Sequence, residues 1–387
     1  MKKGILVVCI LLFAWILPAS AAEEAQGVAG ILDSGEVESA ARASKEAIDE
    51  EFSEYFGSFD FQDAVADMMR GGGKLDPQNI FTAALSLLLS EMRQNISLIL
   101  KLCAVCILSV IILNLRDSVE DDGIGQIAFF AVYALCAGIL LSLFGTAFQI
   151  MKDCTDKLQA FMNTMLGALM AVGMAGGNIV TSGAFYPVMT GVCSLMGTIL
   201  NQLLIPILCF TSVLTIVNRL NDNFHARRLC EVANTCMKWI LCFGFMLFVG
   251  VLTIKGVLGA NLDALGAKGI KFAVSSFVPV VGGILSDAVE TVAGSGQLIK
   301  NSLGTVGLIA VAAILIVPAL KLAAMVLVLK LTSAILDCIC DKRLSGAIWD
   351  MSGTISMALA FVVVYGVLFM VAIASFINAT NSAFMMR

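Results

Sequence analysis

Inside a chain this apolar, the residues able to do chemistry are few, and most sit where an apolar segment is interrupted. The stretch FVPVVGGILSDAVE, 277 to 290, holds Pro279, Gly282 and Gly283 within an apolar run that ends at Ser286 and Asp287. Proline removes a backbone donor and each glycine weakens a helix by about 1 kcal/mol relative to alanine. The run is also shorter than the ~20 apolar residues of a spanning helix. Irregular backbone at membrane depth is tolerated only where protein covers it or a water-filled cavity meets it. The stretch is therefore a candidate re-entrant segment lining a conduit or forming a plug; the alternative is a packed Pro kink. A second short Gly-rich segment, 161 to 177, ends in Gly176 and Gly177, with Asn178 next to them. Lys321, just after Pro318, is the deepest ionisable residue in an apolar run, and such residues mark substrate or ion paths. Its alternative role is a lysine whose stem snorkels beside a kink. Asp287, Glu290 and Lys300 flank the second short segment, whereas the first has only Asn178, Thr181 and Ser182.

Catalysis is not expected, because no residue set supplies an acid, a base and a nucleophile, and no phosphate-loop, metalloprotease or nucleophile-elbow motif occurs. No cofactor is expected. The single histidine, His225, has no carboxylate at ligand spacing, so no metal site is expected either. Cys103 and Cys106 form a C-x-x-C outside the βαβ setting of a redox motif, and most other cysteines lie in apolar runs as small packing residues.

These residues must be carried by membrane helices. The chain has 387 residues, 59% hydrophobic and only 14% charged, far from soluble-domain composition. A net charge of −5 without a basic stripe argues against nucleic acid as a partner. Lys2 and Lys3, an apolar run and Ala19-Ser20-Ala21 read as a signal peptide over 1–21; a retained anchor helix is the alternative. Either places 22–95 outside the cytoplasm. In that polar, helical region Phe52, Phe56 and Phe59 fall on one helix face with Ile48 and Tyr55, a candidate partner-docking stripe or a face packed on its own protein.

Residues 96–158 read as two spanning helices, the second within Ile124 to Met151, followed by a mixed-charge loop at Lys152, Asp153, Asp156 and Lys157. Beyond it, 159–260 and 261–387 read as a tandem repeat: Phe161, Pro206, Arg228 and Gly250 recur as Phe272, Pro318, Arg343 and Gly366 at near-equal intervals. LLIPIL at 203 to 208 answers LIVPAL at 315 to 320. Short basic loops prefer the cytoplasm. The loops with Arg219, Arg227 and Arg228 and with Lys342 and Arg343 share that side only if segments 161–177 and 272–286 dip in and return. The expected architecture is all-α: about six transmembrane helices plus two re-entrant segments in a parallel repeat.

The order of signal peptide, acidic extracytoplasmic helix, FMNTMLGALMAVGMAGG, IPILCFTSVLTIVNRL, KFAVSSFVPVVGGILSDAVETV and DKRLSGAIWDMSGTI resembles the stage III sporulation protein AE family of endospore-forming Firmicutes. Phe272, Pro279, Gly282, Gly283, Leu285, Ser286, Asp287 and Ala288 stand as that family has them, whereas its frequent Pro in the first short segment is replaced here by Met165-Leu166-Gly167. The resemblance implies a multi-pass protein of the mother-cell membrane around the forespore, a channel or export-gate component of a secretion-like feeding-tube apparatus. It implies as partners the other stage III A proteins, among them a cytoplasmic ATPase and extracytoplasmic ring proteins, and through them stage II protein Q. A self-sufficient secondary transporter of a small solute is the alternative function.

Overall fold

The computed structural model describes residues 88–93, 95–116, 122–175, 178–220, 227–277 and 282–385, with isolated positions at 39, 42–44, 46 and 86. It describes only backbone for the helical residues within 113–126 and 255–299 and at 129, 175, 179–181, 184, 220, 227 and 382–385. Among the described residues the fold is all-α, without a strand. The elements are α1 (Ile96–Arg116), α2 (Asp122–Ala175), α3 (Ile179–Ile199), a π-helical turn (Leu200–Leu204), α4 (Ile205–Leu220), α5 (Arg227–Phe277), α6 (Gly282–Leu336) and α7 (Lys342–Met385). Among the described residues six helical stretches are long and apolar enough to cross a membrane: 88–112, 130–174, 185–219, 228–254, 300–336 and 342–381.

Two prolines show how local sequence shapes these rods. Pro206 cannot donate to the carbonyl four residues before it, and the ladder just upstream widens into the π turn, the kind of bulge that accommodates such a gap. Pro318 sits inside α6, which continues as α-helix to Leu336. Apolar stripes on every rod converge on one core, with Leu158, Met162 and Leu169 of α2, Phe185 of α3, Ile314 and Leu322 of α6 and Phe361 and Phe369 of α7 almost fully buried. The α6–α7 pair is the spine of the bundle; α2 packs on both, and α3 packs on α2 and α5. Small residues let backbones approach, as in other membrane bundles. A Cβ on Gly304 would collide with Ile377, and one on Gly366 would stand 2.6 Å from Leu315 Cδ2.

The expected loop at Lys152 to Lys157 is helix. Met151, Cys154, Thr155 and Leu158 are buried while Lys152, Asp153, Asp156 and Lys157 are exposed, so charge and apolar residue alternate at helical spacing and the stripe passes through unbroken. Consequently residues 161–175 are the last turns of α2, and the boundary drawn at 158 falls inside that helix. The boundary drawn at 260 likewise falls inside α5, which runs on to Phe277. Each short segment thus straddles a helix end. Gly176, Gly177 and Pro279 lie outside the described residues, as do His225, Phe52, Phe56 and Phe59.

Candidate functional site

The polar groups of the bundle gather in layers. At one end, α3 begins at Asn178, which is buried although its side chain does not cap the helix. Its backbone N–H donates to Gly173 O at 3.0 Å and its carbonyl accepts from Ser182 N–H at 2.9 Å, closing the α2–α3 turn. Gly173 is required there because a Cβ would run into Ser182 Oγ. Asn178 Nδ2 donates to Thr380 O at 3.4 Å. On the next residue, Asn381 Oδ1 accepts from Lys300 Nζ at 2.8 Å. Lys300 is only 1% exposed. The flank of the first short segment and the helix that follows the second therefore meet on adjacent residues of α7. Phe185 and Phe376 seal the layer edge to face, with ring centroids 5.5 Å apart.

Burying an ammonium is costly unless it is hydrogen-bonded, which makes Lys300, rather than half-buried Lys321, the deeply buried cation of this site. The sequence does carry a signal for it. Lys300 shares a helical face with Leu303, Gly307, Ala310 and Ile314, all of which are buried. Asp287, Ser286, Gly282 and Gly283 occupy the first turns of α6, and the α6 backbone before Lys300 adds about 27 Å of helix to reach them.

The second layer lies at the opposite end. Arg219, in the last turn of α4, binds Asp350 in α7 through Nε at 2.8 Å and Nη2 at 2.7 Å. Tyr133 of α2 donates to Ile216 O at 2.6 Å. In the α6–α7 turn Arg343 N–H donates to Asp341 Oδ1 at 2.7 Å and Ser345 Oγ to Asp337 Oδ1 at 2.7 Å. Lys330 stands over the exposed ring of Trp349, 5.8 Å from its centroid, an amphipathic pairing suited to a membrane interface. Arg228 and Arg343 thus lie at the same end of the bundle. The rise along α7 from Asp350 to Asn381 is about 46 Å, matching the ~40–45 Å of a bilayer with its headgroups. Midway, Tyr365 OH donates to Gln159 Oε1.

The C-x-x-C pair lies near the second layer. Cys106 is buried on α1, near Cys340 of the α6–α7 turn; burial pushes the Cys340 thiol up, away from the reactive thiolate. Among the described residues no group of three or more His, Cys, Asp or Glu is arranged to hold a metal. An apolar groove beside the π turn is lined by Leu200, Leu204, Leu241, Phe245, Tyr365 and Leu368, among others.

A family model described as stage III sporulation protein AE matches residues 59–380. The stage III sporulation protein AE of Bacillus subtilis (strain 168) is 22% identical over 324 residues, covering 84% of this chain and 81% of that protein. No solved structure matches the chain.

Proposed function

The chain belongs to the stage III sporulation protein AE family, and from that premise we propose that this multi-pass protein is a channel or export-gate subunit of the secretion-like apparatus joining mother cell and forespore. It acts without catalysis, in the mother-cell membrane around the forespore. Its partners are the other stage III A proteins, including a cytoplasmic ATPase and extracytoplasmic rings, and indirectly stage II protein Q. The observation that carries the reading is the family match over most of the chain. The bundle supports it with two polar layers set a bilayer apart. The end with Arg219, Arg228, Lys342 and Arg343 faces the cytoplasm by its basic residues.

The direct test is deletion of the gene in its spore-forming host. Loss of late forespore gene expression and of heat-resistant spores, both restored by the wild-type chain, is expected; full sporulation without the protein would end this reading. Orientation is tested separately by Arg228→Cys and Arg343→Cys in a cysteine-free chain. Both are expected to resist an impermeant thiol reagent added outside, and opposite labelling of the two would require an inverted arrangement.

The secondary-transporter reading draws on Asn178 and Lys300 converging through Thr380 and Asn381. Transporter sites lie near the midplane between broken helices, whereas this layer lies a full bilayer from the Arg219–Asp350 pair. Solute uptake by the purified protein alone in liposomes would favour the transporter.

A further inference from the structure

We propose that the outward face of α2, with the adjoining face of α3, lines a water-filled pore enclosed by several copies of this chain. The inference rests on the transport reading above and names the surface along which transport runs. On α2 the residues turned away from the bundle include Ser142, Thr146, Gln149, Asp153 and Asp156, repeating every three to four residues, and Asn163 two turns further on. Lys152 and Lys157 are exposed beside the two aspartates. Between Leu141 and Met174 no large hydrophobic residue of α2 is exposed. The face continues onto α3 through Gln159, whose Oε1 would stand 2.9 Å from a Cβ on Gly197. Ser194, Thr198 and Asn201 are exposed beyond it.

Depth decides what this face can meet. Gln159 pairs with Tyr365, which is about 22 Å along α7 from Asp350 and about 24 Å from Asn381, so the contact lies at mid-bilayer. Cys154 Sγ reaches Ile314 O on α6 at 3.6 Å, placing the four charges within a few turns of that level. Charged side chains at this depth face a protein interior or a water-filled cavity, not lipid. An aspartate has no stem with which to snorkel. A dry protein partner is a poor match for α2 between Ser142 and Asn163 as well, because interface cores are built on aromatic and apolar anchors and this stretch exposes no large apolar residue, the nearest being Leu141 on α2 and Leu195 on α3.

The remaining occupant is water, and something must enclose it. The Lys152-Asp153 and Asp156-Lys157 pairs reverse their order within one helical turn, giving a neutral, mixed-sign strip that neighbouring copies can approach without like-charge repulsion. The chain also offers the complementary outer wall. On α5, Leu229, Val232, Trp239, Phe243, Met246 and Ile254 are exposed and suit acyl chains. A ring of copies with α2 inward and α5 outward satisfies both faces by a closing head-to-tail contact.

The test uses the full-length protein in its membrane. Gln149→Cys and Asn163→Cys are treated with a charged methanethiosulfonate, and modification is read by peptide mass spectrometry. The exposed native Cys242 on α5 serves as the lipid-facing reference within each molecule. Modification at both introduced sites at least tenfold faster than at Cys242 is expected, as is disulfide formation between copies on oxidation of Asn163→Cys. Rates equal to that of Cys242 would overturn the proposal. Cross-linking of position 163 to the chain's own N-terminal region would also overturn it, as would labelling that appears only after another protein is extracted. Membrane abundance is followed for each variant; if one is depleted, Thr146→Cys and Ser142→Cys on the same face answer the same question. The labelling outcome does not depend on sporulation, so failure of the pore and failure of the sporulation role are separable.

Discussion

α2 and α5 are both long helices with one side turned away from the bundle, and those sides are made of opposite materials. Along α5 the outward residues are bulky and apolar, with Trp239 and Met246 each 72% exposed. Along α2 between Ser142 and Asn163 the outward side chains are hydroxyls, amides and charges, whereas nearer its start Phe130, Leu135 and Leu141 are exposed. The apolar stretch of α5 is only 22% buried in the bundle, against 39% for that of α2 and 61% for those of α6 and α7. Exposure alone therefore does not distinguish a wall that meets lipid from one that meets water. The chemistry of the exposed atoms does, because hydrocarbon cannot solvate what α2 displays.

The sharpest way to break this comparison is to place the same charge on both faces. An aspartate at the centre of a membrane helix costs about 2.5–3.5 kcal/mol of insertion free energy, so Phe243→Asp should strongly lower membrane abundance while Asn163→Asp leaves it near wild type. Equal losses measured by quantitative immunoblot would mean that the α2 face also meets lipid.

A smaller effect separates outward from inward positions. Gly250 and Gly366 both lie inside long helices, yet a Cβ on Gly250 meets nothing within 4 Å and one on Gly366 meets Leu315. Gly366→Leu should overpack the α6–α7 spine and lower stability by about 1–3 kcal/mol, whereas Gly250→Leu, with open space around it, should leave stability unchanged or raise it by up to about 1 kcal/mol. Thermal unfolding of the detergent-purified variants checks the difference; similar shifts would show that the two positions do not differ in packing.

The smallest effect concerns the layer that sets the depth of both faces. Arg219 and Asp350 are each 34% exposed, so solvent screens their attraction and Arg219→Ala should cost at most about 1 kcal/mol, less at high salt. A larger, salt-insensitive loss would place the pair in a drier setting and shift the depth assigned to α2.

Much of the fold is legible in the sequence because apolar length and helical spacing are local properties. The all-α class and the six long apolar helices follow from them, as does the family resemblance from the residues around Pro279. The loop expected at Lys152 to Lys157 shows where local reading stops. Four charges in six residues look like a break until one sees that Met151, Cys154 and Leu158 fall on the other side of the same helix. The site was legible in part. Asn178 and Lys300 could each be singled out as flanking a Gly-rich segment, but their meeting on Thr380 and Asn381 could not, since α7 lies far along the chain from both.

By itself the sequence determined the all-α class, the long apolar stretches and which residues are too polar for lipid, because those depend on the composition and period of each stretch. Only the tertiary structure decided which polar residues are shielded and which are displayed. Lys300 is buried and hydrogen-bonded to a neighbouring helix, whereas the charges of α2 are turned outward at mid-depth. The reason is physical: burial and depth are set by what packs against a helix, and those neighbours come from segments far away along the chain.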